Sequence, residues 1–404
     1  MALPDADAVV VRHGDIGVKS SHVQAAMERR LVESIEAMLH ERDVEAHTEH
    51  EWGRVFVRTE RAAAATDAVT DVFGVHTASP AVTVAPTLPA ITDELAALAP
   101  AVYHGGSFAV EARRTGEHAF TSQDVGRKGG DAIWRAVDDE FDPTVDLDDP
   151  DHTFFVEVRD EEAFVFLEKR AGPGGFPLGS QAPLVALVSG GIDSPVAAWA
   201  AMRRGSPIVP LYVDLGEYGG PDHRAKAMRT IRTLARFAPG RDVRPRVVQG
   251  GDVVDRLVSR VSSTRMLSFR RFMYRVADAV AREEDAAGVV TGEAFGQKSS
   301  QTVRNLAAVD PASDLPVHRP LLTRDKQEII ERAREIGTYE DSTIDTGCNR
   351  VAPDSPATGA SVEAVRAAEP DSLFEWAEAV AAGVEVVESA ETDETGPPAG
   401  GEES

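Results

Sequence analysis

The segment Ser189-Gly190-Gly191-Ile192-Asp193-Ser194-Pro195 lies between the apolar run Pro183 to Val188 and the helix-forming stretch Val196 to Met202. A buried strand therefore feeds a glycine-hinged turn that opens a helix, and this commits that part of the chain to an α/β layer. The two glycines are expected to reach positive φ and let the backbone approach an anion. Free N–H groups and the dipole at the following helix N-terminus favour negative charge there. Ser194 reads as the N-cap and Pro195 as the first helical residue, where a missing donor costs nothing. A bland strand-to-helix turn that only needs small residues is the alternative, and the flanking strand and helix favour the phosphate cradle.

Around that turn, apolar runs alternate with helical patterns: Leu184 to Val188, a helix over 195–204, Pro207 to Leu215, a helix over 221–237, Val243 to Val248, helices across 252–285, then Gly288 to Thr291. Such alternation predicts a doubly wound parallel sheet, with ligand at the carboxyl ends of its strands. Upstream, strand Ala8 to Arg12, helix Ser21 to Leu39 and strand Arg54 to Val57 predict one α+β region. Strand Ser107 to Ala112, a helix from Ser122 to Val137 and strands Thr153 to Val158 and Ala163 to Glu168 predict a second. The expected domains are 1–70, 71–171, a Gly/Pro linker at 172–180, 181–375, and an acidic, largely disordered tail at 376–404.

Composition narrows the chemistry. With 67 acidic residues against 42 basic ones, only six of them lysine, the net charge is −25. Such a surface repels polyanions and suits a halophilic cytoplasm, where screening and hydrated carboxylates keep it folded and soluble. Two arginine islands interrupt the acidity, His223 to Arg246 and Arg256 to Ala277, and both are expected to meet phosphate, of a nucleic acid or of ATP. No apolar run approaches a membrane span and no secretory leader is evident, so the chain is expected in the cytoplasm, with no membrane partner. Cys348 is the only cysteine, which excludes an internal disulfide and a cysteine-based metal site within one chain. His47 and His50 lack metal-site spacing.

The turn has neither the Gly-x-x-x-x-Gly-Lys-Ser/Thr nor the Gly-x-Gly-x-x-Gly arrangement, and its Ser-Gly-Gly-x-Asp-Ser resembles the PP-loop of ATP pyrophosphatases. Phe108-Ala109-Val110-Glu111-Ala112-Arg113-Arg114 followed by Thr121-Ser122-Gln123-Asp124-Val125-Gly126 resembles a THUMP domain, an RNA-binding module. A THUMP domain joined through Gly174-Gly175-Phe176-Pro177-Leu178-Gly179-Ser180 to this PP-loop is similar to the tRNA 4-thiouridine synthase (ThiI) family. So are Val11 to Ser20, Thr291-Gly292-Glu293-Ala294-Phe295-Gly296-Gln297-Lys298-Ser299-Ser300-Gln301-Thr302, and Arg319-Pro320-Leu321-Leu322 with Ile336-Gly337-Thr338-Tyr339-Glu340. The fold this implies is α/β: ferredoxin-like α+β and THUMP domains followed by a doubly wound PP-loop ATP pyrophosphatase domain.

The resemblance further implies an ATP-dependent tRNA sulfurtransferase that adenylylates O4 of uridine 8 and exchanges the adenylate for sulfur. ATP with Mg2+ is the implied cofactor, tRNA the partner, and a cysteine desulfurase persulfide or sulfide the sulfur donor. A homodimer and a role in thiamine thiazole synthesis stay open. Carried over by position, Leu187, Val188, Ser189, Gly190, Gly191, Asp193 and Ser194 would hold ATP, with Tyr212 and Val213 beside the adenine and Arg270, Gly292 and Gln301 completing the site. Asp193 would organise phosphate or metal, and Cys348 would be the catalytic thiolate, with Arg350 favouring and Asp345 opposing its ionisation. The chain departs from longer relatives in having no rhodanese domain, and from some archaeal ones in carrying Met266 and Phe269 where they have a Cys-x-x-Cys pair. Another PP-loop tRNA-modifying enzyme, or a catalytically idle THUMP tRNA-binding protein, remains as an alternative.

Overall fold

The structure, a computed structural model, describes all residues except 1, 2, 15, 17–19, 52, 220, 343–347 and 389–404, and for 221, 348 and 349 the backbone alone. The chain divides into two compact units, Met1–Pro177 and Leu178–Ser404.

The first unit runs β1 (Ala8–His13), α1 (Ser21–Glu41), β2 (His47–Glu51), β3 (Arg54–Arg58), α2 (Ala62–Val69), β4 (Val75–Val84), α3 (Leu88–Val102), β5 (Ser107–Arg114), α4 (Ser122–Val137), β6 (Thr144–Val145), β7 (His152–Val158), β8 (Ala163–Phe166) and β9 (Arg170–Ala171). One sheet in the order β2-β3-β1-β4-β8-β7-β5-β6, with β9 also on β4, holds it together. Alternation along β1 explains its central place: Val9 and Val11 pack with Leu31 and Ile35 of α1, and Ala8 and Val10 pack on the opposite face with Phe56 and Phe164. β4 serves both halves, pairing with β1 through Val75 to Ala81 and with β8 through Val82 to Val84, so the sheet has no break at the 70/71 boundary read from the sequence.

The second unit runs β10 (Leu184–Leu187), α5 (Asp193–Arg203), β11 (Ile208–Asp214), α6 (Pro221–Ala235), β12 (Arg246–Gln249), α7 (Gly251–Arg260), α8 (Arg265–Glu283), β13 (Val289–Val290), α9 (Val303–Val309), β14 (Val317–His318), α10 (Lys326–Glu335), α11 (Tyr339–Ser342), α12 (Cys348–Val351), α13 (Val362–Ala368), α14 (Leu373–Ala381) and β15 (Glu385–Val386). Its sheet order is β14-β13-β10-β11-β12-β15, parallel throughout except for β15, which lies antiparallel on the edge. Both faces are covered, as a parallel sheet requires. On one of them α7, α8 and α14 pack Val254, Phe272, Val276 and Ala377 against Val185, Leu211 and Val248.

Two sequence boundaries need correction. Residues 172–177 are not a free linker: Gly172 N–H donates to His76 O at 3.0 Å, Gly174 N–H to Val75 O at 2.8 Å, and Phe176 is buried in the core of the first unit. Nor is 376–388 a tail, because Ala377 and Ala381 belong to the core of the second unit and Val386 pairs with Arg246. Short apolar contacts and a two-residue strand outweigh the acidic composition there. Residues 389–404, the rest of the expected tail, lie outside the described residues.

Candidate active site

β10, β11 and β13 end on one side of the sheet, and the loop 188–192 leaves β10 there to enter α5. The loop is closed by its own serines. Ser189 N–H donates to Ser194 Oγ at 2.9 Å, Ser194 Oγ donates back to Ser189 O at 3.3 Å, and Gly191 N–H donates to Ser189 Oγ at 3.3 Å. Ser194 is therefore a brace across the loop rather than an N-cap, and α5 begins at Asp193 with Ile192 in the cap position. Neither Gly190 nor Gly191 has positive φ, contrary to expectation. Gly190 is favoured by proximity instead: a Cβ on it would lie 3.2 Å from His223 Cδ2 and His223 O and 3.4 Å from Lys226 Cβ, tight enough that α6 would have to give by a few tenths of an ångström. Gly292, just past β13, is pressed harder still, since a Cβ there would come within 2.6 Å of Asp193 C and Ser194 N. Backbone cannot yield to a side chain at that distance, so glycine alone lets the segment 291–293 lie on the first turn of α5.

These elements enclose a cavity of about 250 Å³. Of the residues expected at a nucleotide, Leu187, Val188, Ser189, Gly191, Asp193, Ser194, Tyr212, Val213, Arg270, Gly292 and Gln301 all line it, and Gly190 supports it from behind against α6. One wall is apolar, made by Leu187, Leu211, Val213, Phe269 and Met273, and the opposite end is the loop and the first turn of α5. A slot for a flat base beside an anion cradle fits the shape and polarity of ATP. Gln301 Oε1 is buried on the wall without a partner, an acceptor that an exocyclic amine would satisfy.

Sequence reasoning missed the buried charge centre. Glu293, only 5 % exposed, accepts hydrogen bonds from Tyr274 Oη at 2.6 Å, Thr291 Oγ1 at 3.1 Å and Arg319 Nε at 2.6 Å, and it also pairs with Arg270. Burial pushes the Glu293 carboxyl up, but Arg270 and Arg319 outweigh it and hold it below the usual range. Burial and then Glu293 push the Tyr274 phenol well up. Arg270 also donates to Ser300 O at 2.8 Å, so the acid aims this arginine at the turn that carries Gln301. Lys326, at the start of α10, places Nζ 2.8 Å from Asp193 Oδ1 and so brings a lysine to the cradle from 133 residues away. Thr291-Gly292-Glu293 was a readable signal for the first of these, whereas nothing local marks Lys326.

The profile of the family described as Thiamine biosynthesis protein (ThiI) matches residues 179–374, that of the THUMP domain residues 85–168, and that of the ThiI ferredoxin-like domain residues 8–79. A probable tRNA sulfurtransferase of Halobacterium salinarum is 64% identical over 390 residues, covering 96% of this chain and 100% of the relative. Another, of Methanosarcina acetivorans, is 39% identical over 363 residues, covering 89% and 88%. The chain belongs to the ThiI family of tRNA sulfurtransferases. Among solved structures, that of a 4-thiouridine synthetase–RNA complex with bound ATP is similar, with a TM-score of 0.80 and 29% identity over 95% of this chain and 100% of that one.

One expectation about this ThiI-family chain reads differently in three dimensions. Most of the arginines in the islands are tied into the fold. Arg271, 1 % exposed, donates to both Glu369 oxygens at 2.8 and 3.0 Å, and Arg246 likewise grips Glu284 at 2.7 and 3.0 Å. Arg265, Arg241 and Arg236 donate to backbone carbonyls, and Arg229 and Arg244 pair with carboxylates. The islands are thus largely structural, and Arg270 is the member that faces the cavity. As for Cys348, its backbone opens α12, while its side chain and Asp345 lie outside the described residues. The same segment reaches the cavity wall at Ala352 and Pro356, and exposed Arg350 donates to Glu217 O at 3.5 Å. Among the described residues, no group of three or more His, Cys, Asp or Glu could hold a metal ion, and no helix is long and apolar enough to cross a membrane.

Proposed function

We propose that this chain is a cytoplasmic, ATP-dependent tRNA sulfurtransferase that makes 4-thiouridine at position 8 of tRNA. The observation that carries the reading is the apposition of Gly292 to Asp193 and Ser194, which sets an anion cradle against an apolar slot at the strand ends. The likeness to an ATP-bound 4-thiouridine synthetase–RNA complex supports it. In this reading the apolar wall takes adenine, the N–H groups of the loop and of the first turn of α5 take phosphate, and Lys326 and Arg270 add positive charge. Uridine O4 attacks the α-phosphorus and the bond to pyrophosphate breaks. Sulfur then adds to C4, and AMP leaves where a carbonyl oxygen would not. Asp193 would help hold the Mg2+ of the triphosphate. Cys348 takes the outer sulfur of a cysteine desulfurase persulfide and frees the desulfurase thiol; its own persulfide then adds to C4, and an external thiol breaks the remaining S–S bond, the chain having no second cysteine. Sulfide, already at the right oxidation level, adds to C4 directly without passing through Cys348.

Purified protein is incubated with unmodified tRNA, Mg-ATP and sulfide at molar KCl, and thiolated uridine is followed by near-ultraviolet absorbance. Asp193→Ala should lose thiolation by roughly 100-fold or more, the scale of losing one preorganised electrostatic contact. Cys348→Ala should fail with a persulfide-charged desulfurase and keep activity with sulfide if the thiol is a relay, or fail with both if it takes part in the chemistry. Tight tRNA binding with no thiolation from either donor would sink the enzyme reading in favour of a binding protein.

A further inference from the structure

His223 has no role in the site as drawn from sequence, yet it lies on the cavity wall with 5 % of its surface exposed. Its two ring nitrogens face different surroundings. Nδ1 lies 2.9 Å from the Tyr212 hydroxyl, whereas Nε2 is buried with no hydrogen-bond partner. A buried imidazole nitrogen without a partner carries a desolvation cost that proteins rarely leave uncompensated. Cδ2, bonded to Nε2, is the atom that a Cβ on Gly190 would meet at 3.2 Å, so that edge of the ring lies against the loop.

The position of His223 on its helix points to what the partner is. It lies in the first turn of α6, a 15-residue helix whose N-terminal dipole favours an anion. Lys226, one turn on, packs its Cβ against the same glycine and is 3 % exposed. Among the described residues, no carboxylate lies within ion-pair distance of its ammonium, and the acid that does act on His223, Asp214, is itself paired with Arg224 at 3.6 Å. Burial, then Lys226, push the His223 imidazole down, which keeps it neutral. A neutral imidazole that accepts the Tyr212 hydroxyl proton at Nδ1 carries its own proton on Nε2 and can donate there.

We infer that α6 is a second phosphate-binding element, in which His223 Nε2–H, held in that tautomer by Tyr212, donates to the β- or γ-phosphate of the bound nucleotide across Gly190. The inference rests on the reading of the cavity as an ATP site. It makes His223 a binding residue for the pyrophosphate end, distinct from the adenine and α-phosphate contacts made by the apolar wall and α5.

Calorimetric titration of the full chain with Mg-ATP and with AMP, at molar KCl, tests it. His223→Phe fills the same space without a donor and should weaken ATP about tenfold, the scale of one hydrogen bond to a charged group. AMP affinity should change less than twofold, because AMP lacks the pyrophosphate end. His223→Gln, which can place an N–H near the position of Nε2, should bind ATP within about threefold of wild type. Equal ATP affinity in His223→Phe and wild type overturns the proposal, and so does an equal loss for ATP and AMP, which marks a packing role. If His223→Phe does not fold by circular dichroism, His223→Asn, whose amide reaches only the Tyr212 side, replaces it, and Asn binding ATP as well as Gln overturns the proposal. A wild type that binds neither nucleotide overturns the parent ATP reading, a result separable from all of these.

Discussion

Glu293 shows how a single buried side chain can organise a site by holding its neighbours in place. It collects Arg270, Arg319, Tyr274 and Thr291 around one buried carboxylate, and removing the charge would strand two guanidinium groups. Glu293→Gln should therefore cost about 3 kcal/mol of stability near neutral pH, measured by urea unfolding. The sign of its pH dependence follows from the pKa lying below the usual range. A carboxyl depressed in the folded state contributes its full stabilisation above the unfolded value, and loses it as pH falls through the folded one. The gap between wild type and Glu293→Gln should thus be constant from neutral pH down to about 5 and shrink at more acid pH. A gap that stays constant down to pH 3 would mean that the carboxylate is not the stabilising species. Gly292 is the complementary case, a residue chosen for having no side chain where two backbones come within contact.

At the scale of elements, the edge of the second unit is made by segments with weak local signals. α14 places Leu373, Ala377 and Ala381 in the core, and β15 adds one short antiparallel strand to β12. Leu373, 1 % exposed, should cost about 2–5 kcal/mol when cut to alanine, read as a lowered urea midpoint with unchanged slope. A loss below about 0.5 kcal/mol would return residues from 373 on to the status of an appendage. α4 is the opposite kind of element, written plainly in sequence: Thr121 Oγ1 accepts from Asp124 N–H, and the Asp124 carboxylate accepts from Thr121 N–H at 2.9 Å, a capping box that sets the first turn.

The whole molecule carries −25 charges at pH 7 and meets that repulsion mainly through solvent, since its arginines are largely spent on internal pairs. Like charges on a surface are screened beyond about 3 Å at 1 M salt. Unfolding midpoints should consequently rise from 0.1 M to 2 M KCl, with most of the gain below 1 M. Glu293→Gln should show the same salt increment as wild type, because its pair is buried. A midpoint that is flat or falls with KCl would show that surface repulsion is not what limits stability. The same acidity makes donors at the cavity necessary for any polyphosphate; the N-terminus of α5 is one, and Arg270 and Lys326 are held there by Glu293 and Asp193.

Local signals were sufficient for much of this. The Ser-Gly-Gly-x-Asp-Ser turn and the alternation of apolar runs and helices are short-range patterns that marked the parallel sheet and the loop, while Tyr212, Val213, Arg270, Gly292 and Gln301 came from the family resemblance. What depends on distance along the chain was not legible. Lys326 meets Asp193 across 133 residues, Arg271 meets Glu369 across 98, and His223 becomes part of the cavity only because α6 packs on Gly190. The arginine islands were conspicuous in the sequence because composition counts charges, but only packing decided which of those charges were already neutralised. Periodicity encodes which face of an element is buried, and the choice of what that face meets belongs to the tertiary fold.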